Sequence, residues 1–229
     1  MIARNIKKVE ADIADIAASC GRDPAEITIV AVSKTRTAAD VDAALESGVI
    51  HIGENRVQEA EAKIPDVRGQ AAWHMIGHLQ SNKAKKAAAI FDWVQSTDSQ
   101  KLAAHLSAEA MRLGKTLDVL VQVNISGEDT KSGVDPSGAE ALVEYAANCD
   151  GLNVRGLMTI GSLDASEDTT RREFAEVRLL FDRLRDVFGG AMPFDTLSMG
   201  MSGDYRIAVE EGSTMLRIGT ALFGGRESG

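Results

Sequence analysis

A single beat repeats along this chain: a short apolar run, a glycine or polar tip, then a stretch with helical spacing. The apolar runs fall at 27–33, 49–52, 72–76, 92–95, 117–124, 152–160, 194–198 and 214–218. Helical stretches follow near 38–47, 55–63, 81–89, 99–113, 137–147, 168–187 and 203–210. Runs that are apolar throughout, rather than alternating, read as strands buried on both faces, the mark of parallel sheets. Strands alternating with helices point to a parallel sheet, and eight of them predict one closed (β/α)8 TIM barrel. A length of 229 residues suits a single such domain spanning 1–229. The competing architecture is an open doubly wound sheet. Against it, Gly48, Gly53, Gly77, Gly156 and Gly161 are scattered, and no G-x-G-x-x-G fingerprint opens the first helix. Ahead of the first strand, Ile2, Ile6, Val9, Ile13 and Ile16 form one apolar stripe, so an extra N-terminal helix is expected, covering the barrel bottom or a partner.

Charge and cysteine content narrow the function. A net charge of −9 argues against a general binder of nucleic acid or acidic membrane. Cys20 and Cys149 are too few for a disulfide framework and lack metal-ligand spacing. No apolar signal core opens the sequence and no run reaches transmembrane length, so a cytoplasmic protein is expected. The stretch Ser162 to Thr170 is the most polar and reads as mobile surface. Lys83, Lys85 and Lys86 read as a solvated helix face, with a place beside an anionic ligand as the alternative.

In a barrel the C-terminal strand tips converge on one mouth. The first tip is Lys34, which ends the run Ile27–Ser33. With its stem against apolar walls, desolvation would lower the amine from its ordinary pKa of about 10.4 and make it a nucleophile toward a carbonyl. The plain alternative is a solvated lysine opening a loop. Ser198, Gly200, Ser202 and Gly203 make a small-residue turn after the seventh strand, and Gly219-Thr220 makes another after the eighth. Barrels often bind phosphate there, on backbone N–H groups and hydroxyls, although small residues also serve tight turns. Arg217 faces either a ligand ring or a carboxylate. A carbonyl-seeking lysine across from a phosphate site suggests pyridoxal 5′-phosphate (PLP), joined to Lys34 as a Schiff base with its phosphate over Ser202, Gly219 and Thr220. An arginine beside the pyridine nitrogen disfavours its protonation and weakens the ring as an electron sink, which suits a holder or racemase better than a transaminase.

These residues sit in segments that resemble the pyridoxal-phosphate homeostasis proteins (the YggS/PROSC type) along nearly the whole chain. The segments run from Ala31-Val32-Ser33-Lys34-Thr35 and Gly53-Glu54-Asn55-Arg56-Val57-Gln58-Glu59 through Trp73 to Lys83, Val123-Asn124-Ile125 and Lys131-Ser132-Gly133. They continue with Gly156 to Ile160, Leu197 to Asp204, and Arg217-Ile218-Gly219-Thr220. The resemblance implies a barrel like the N-terminal domain of alanine racemase, with PLP on Lys34. It further implies phosphate contacts at Ser202, Gly219 and Thr220, Arg217 toward the pyridine nitrogen, and Asn55 and Met158 lining the pocket. Ser198 is counted with this set. The family commonly has tyrosine where this chain has Arg56. The implied role is keeping PLP and amino-acid pools in balance, with little or no turnover. PLP-dependent apo-enzymes are the implied partners, and a monomer or weak dimer is expected.

The main rival is a PLP-dependent amino-acid racemase of the alanine racemase type. It needs a second base opposite the lysine, usually a tyrosine from a further β domain. No such domain is expected within these 229 residues, and Tyr145 and Tyr205 are not obvious bases. Other readings are a Schiff-base aldolase that uses Lys34 without a cofactor, a metal enzyme using His74 and His78, and a scaffold with no ligand. Without metal, His74 and His78 are expected to pack and hydrogen-bond at the barrel mouth.

Overall fold

The apolar runs pair in the order in which they occur. β1 (Thr28–Val32), β2 (His51–Glu54), β3 (Ala72–Met75), β4 (Trp93–Thr97), β5 (Leu117–Val123), β6 (Leu152–Thr159), β7 (Thr196–Ser198) and β8 (Met215–Ile218) are parallel neighbours. β8 closes on β1, with Val30 opposite Arg217 and Ala31 opposite Ile218. The computed structural model describes residues 1–128 and 132–225, and within them the sheet is the closed eight-stranded barrel that the repeating beat predicts.

Around it lie α1 (Ile2–Ser19), α2 (Ala38–Leu45), α3 (Val57–Lys63), α4 (Ala84–Ile90), α5 (Gln100–Leu113), α6 (Ala139–Ala147), α7 (Glu167–Phe188), α8 (Tyr205–Glu210) and α9 (Thr220–Phe223). Local chemistry sets several of their ends. Thr37 and Asp40 form a reciprocal capping box before α2, and Ser99 caps α5 through the Leu102 N–H. Gly114, at φ +65°, ends α5 in the left-handed conformation that closes a helix cheaply only with glycine.

The polar stretch Ser162 to Thr170 lies mostly at the surface, as expected, and is tied to the fold near both ends. Ser166 caps α7, Glu167 and Asp168 sit in its first turn where the helix dipole favours acids, and Thr170 is buried. The Ser162 N–H donates to the Glu173 carboxylate at 2.8 Å. The α1 stripe does not await a partner. Ile6, Val9, Ile13 and Ala17 are buried, and the helix packs on α2, α8 and α9. The Asn5 amide donates to the Leu222 carbonyl at 2.9 Å, and the Tyr205 hydroxyl donates to Asp12 at 2.5 Å.

The main core fills the layer between sheet and helices. The barrel interior holds a smaller apolar cluster of Val30, Trp93, Leu120, Met158 and Met215. Full burial of such side chains stabilises by about 1.5–3 kcal/mol each. Beside that cluster the interior is polar, with His74, Gln95, Ser198 and Arg217 all buried. No helix among the described residues is long and apolar enough to cross a membrane.

Candidate functional site

The strand tips enclose a cavity of about 320 Å³ at the C-terminal mouth. Its walls include Lys34, Asn55, Ser202, Arg217, Gly219 and Thr220, six of the eight residues singled out in the sequence, together with Val32, Ile76, Ile160, Met201 and Gly203. The other two lie beneath it. Met158 is fully buried in the interior apolar cluster, and Ser198 is fully buried under Arg217. Both face inward from strand positions below the tips, so they support the floor and do not line the wall. Lys34 is exposed rather than sunk against apolar walls, because the strand already ends at Val32 and only Ser33, which is buried, separates it from Lys34.

The tip that carries Lys34 is held from behind. The Ser33 hydroxyl donates to Glu54 at 2.6 Å, and Lys63 from the end of α3 donates to the Ser33 carbonyl at 2.6 Å. Lys63 also forms an ion pair with Glu54, whose side chain is completely buried. Thr35, directly after Lys34, has φ +64°, a left-handed conformation costly for a β-branched residue. Such strain persists only where surrounding structure enforces it, and it clusters at ligand sites. Opposite, a Cβ on Gly77 would lie 2.3 Å from the Asn55 carbonyl oxygen, so only glycine lets the β3 tip pass this close to the Asn55 backbone.

Across the cavity, the Ser202 hydroxyl oxygen accepts from the N–H groups of Gly219 and Ala221, both at 3.2 Å. Arg217 rises from β8 on the floor. It donates to the Ser198 hydroxyl and to the Thr159 carbonyl, each at 2.7 Å. Burial lowers its guanidinium to about 10, against support from Asp204, which leaves it charged near neutral pH. Burial in turn raises the Asp204 carboxyl, opposed by the Met201 N–H that it accepts and by Arg217.

Two site features escape the sequence reading. Glu54 and Lys63 are one. A buried polar chain is the other: Ser198 donates to Gln95 at 2.7 Å, Gln95 contacts His74 Nδ1 at 2.9 Å, and His74 Nε2 contacts His51 Nδ1 at 2.9 Å. His74 therefore lies inside the barrel, stacked on Trp93, and not at the mouth. His78 does lie at the mouth, 2.9 Å from the Ser132 hydroxyl and 3.4 Å from Asp98. Among the described residues no group of three or more His, Cys, Asp or Glu is placed to hold a metal ion. Neither tyrosine lines the cavity, and Arg56 is exposed beside Glu59 at 3.9 Å. Lys86 pairs with Glu61 on the solvated face expected for that cluster. Lys131 lies outside the described residues.

The chain matches the family model of the alanine racemase N-terminal domain over residues 5–227. The pyridoxal phosphate homeostasis protein of Pseudomonas aeruginosa is 43% identical over 100% of this chain and 97% of its own. The chain belongs to the pyridoxal phosphate homeostasis protein family. Among solved structures, PipY of Synechococcus elongatus without PLP is 36% identical, with a TM-score of 0.88 over 98% of this chain and 100% of that one. PipY with PLP bound is 35% identical, with a TM-score of 0.86 over the same shares. An alanine racemase of Clostridium difficile, 16% identical with a TM-score of 0.74 over 99% of this chain and 57% of its own, shares the fold of this homeostasis-family barrel.

Proposed function

We propose that this chain is a cytoplasmic carrier of pyridoxal 5′-phosphate that binds the cofactor through the Lys34 amine, serves intracellular PLP and amino-acid balance, and has little or no turnover. The observation that carries this is the single cavity in which Lys34, Arg217 and the Ser202–Gly219–Thr220 cradle converge. The donor set fits a phosphorylated aldehyde. A primary amine stands at one side, and at the other two backbone N–H groups already hold a hydroxyl oxygen, as they would a phosphate oxygen. When bound, PLP supplies an aldehyde that condenses with an amine and a ring that can accept electron density.

Every other task falls to the chain. Lys34 supplies the amine. Ser202, Thr220 and the Gly219 N–H would hold the phosphate. Asn55, braced by Gly77, would border the ring together with Ile76 and Ile160. Arg217 keeps N–H donors beyond the two it uses below the floor, and a charged donor aimed at a pyridine nitrogen opposes a proton there. That arrangement suits a holder or a racemase better than a transaminase.

The alternative is an amino-acid racemase, which requires a base facing Lys34. Tyr205 is committed to Asp12 on α1, and Tyr145 lies exposed on α6. On the carrier reading, the partners are apo-enzymes that take up PLP, and the chain acts as a monomer or weak dimer.

The test is an absorption spectrum of purified protein with added PLP, then borohydride reduction and peptide mapping. The expected result is a long-wavelength band that reduction removes, with the label on the Lys34 peptide and none in Lys34→Ala. Absence of any band would sink the reading. Sustained Lys34-dependent racemisation of an amino acid would replace it with the racemase.

A further inference from the structure

TIM-barrel interiors are ordinarily filled with branched apolar side chains. Here a polar chain crosses the interior instead, from Arg217 at the cavity floor through Ser198, Gln95 and His74 to His51. Ser198, Gln95 and His74 are fully buried. Buried polar groups are costly unless every partner is in place, so the links are interdependent.

The chain has one direction, and Arg217 sets it. A guanidinium only donates. The Ser198 oxygen therefore accepts from Arg217, and the Ser198 proton goes to Gln95 Oε1 at 2.7 Å. That orientation turns the Gln95 amide nitrogen toward His74 Nδ1, which must accept. His74 then carries its proton on Nε2 and donates to His51 Nδ1. His51 is only half-buried and opens into a groove at the N-terminal face, lined by Glu10, Thr28 and Ile50 among others. The Gln95 amide nitrogen also reaches Met215 Sδ at 3.2 Å, a contact that pins the same orientation.

We propose that Gln95 and His74 are positioning residues for Arg217, and that the one-way chain Arg217–Ser198–Gln95–His74–His51 holds the guanidinium at the ring nitrogen of bound cofactor. This inference rests on the carrier reading. None of the three inner residues lines the cavity, so each acts on the cofactor through Arg217 alone.

The experiment compares absorption and fluorescence of PLP-loaded wild type with Gln95→Met, which keeps the side-chain length and removes the acceptor. Arg217→Gln provides the signature of a ring nitrogen without its cation. Gln95→Met is expected to displace the band in the same direction, by most of that displacement. Thr220→Val, at the phosphate end, is expected to weaken retention without moving the band. If Gln95→Met does not fold, Ser198→Ala against Ser198→Thr decides by the same readout. A wild-type band that Gln95→Met or Ser198→Ala leaves in place overturns the inference alone. A wild type with no band overturns the carrier reading and this inference with it.

Discussion

Lys63 Nζ donates to the Ser33 carbonyl at 2.6 Å and so ties the end of α3 to the strand tip that carries Lys34. The same ammonium neutralises Glu54, whose side chain has no contact with solvent. Removing one partner of such a pair leaves an uncompensated buried charge, which costs about 3–5 kcal/mol, whereas replacing both can be nearly neutral. Lys63→Met is therefore expected to lower unfolding stability by about 3 kcal/mol or more in urea denaturation, and adding Glu54→Gln to restore much of it. Equal losses in the single and double variants would show that the pair is not the cause.

Thr35 at φ +64° sets two effects against each other. A left-handed conformation costs an L residue about 1–2 kcal/mol, while glycine gives back about 0.5–1 kcal/mol in unfolded-chain entropy. Thr35→Gly is thus expected to gain about 0.5–1 kcal/mol in stability while loosening the Lys34 tip. Slower adduct formation with PLP, followed by stopped-flow absorbance, is the second readout. A destabilised variant would mean that the threonine side chain contributes more than its strain costs.

The barrel was legible because its strands are apolar on both faces and end at glycines or charged tips. Reading failed where polar residues point inward. The fourth run reads as ending at Gln95, yet β4 continues through buried Ser96 and Thr97. A polar residue near a strand's end looks like a loop when its partner lies on another strand. His74 carried a faint signal. It stands between Trp73 and Met75, which face the helix layer, so alternation sends it into the barrel. Five of the six cavity residues, Lys34, Ser202, Arg217, Gly219 and Thr220, were legible as strand tips, and Asn55 through the resemblance. Met158 and Ser198 share those segments but lie too deep, and motif membership carries no depth. Nothing in the sequence ties Glu54 to Lys63, since a strand end and a helix end meet only in the fold.

Thr220 stands at the start of α9 beside the two N–H groups that Ser202 caps. Losing one hydroxyl donor costs about 1 kcal/mol, or roughly fivefold in affinity. Thr220→Val is expected to release PLP that much more readily in equilibrium dialysis, and Thr220→Ser to retain it. Unchanged retention in Thr220→Val would remove Thr220 from the phosphate cradle.

Burial, reinforced by neighbouring His51, holds the His74 imidazole well below its ordinary 6.5, and burial lowers His51 as well. In the unfolded chain both rings take up a proton near pH 6.5, while the folded protein keeps them neutral. Just below that pH the unfolded state therefore binds more protons, and folding stability falls as pH falls. The contribution is fully present above about pH 6.5 and shrinks by up to about 1.4 kcal/mol per pH unit for each ring as pH drops toward the folded values. Carboxyls raised by burial, such as Asp118 and Asp204, work in the opposite direction, so the informative quantity is a difference between variants. Wild type is expected to lose more stability than His74→Gln between about pH 7.5 and about pH 5.5 in chemical denaturation, even though the variant starts lower for want of the Trp93 stack. Parallel pH dependences in the two proteins would mean that His74 takes up its proton in the folded barrel as readily as in the unfolded chain, and that the interior chain tolerates a cation where its hydrogen bonds leave room only for a neutral ring.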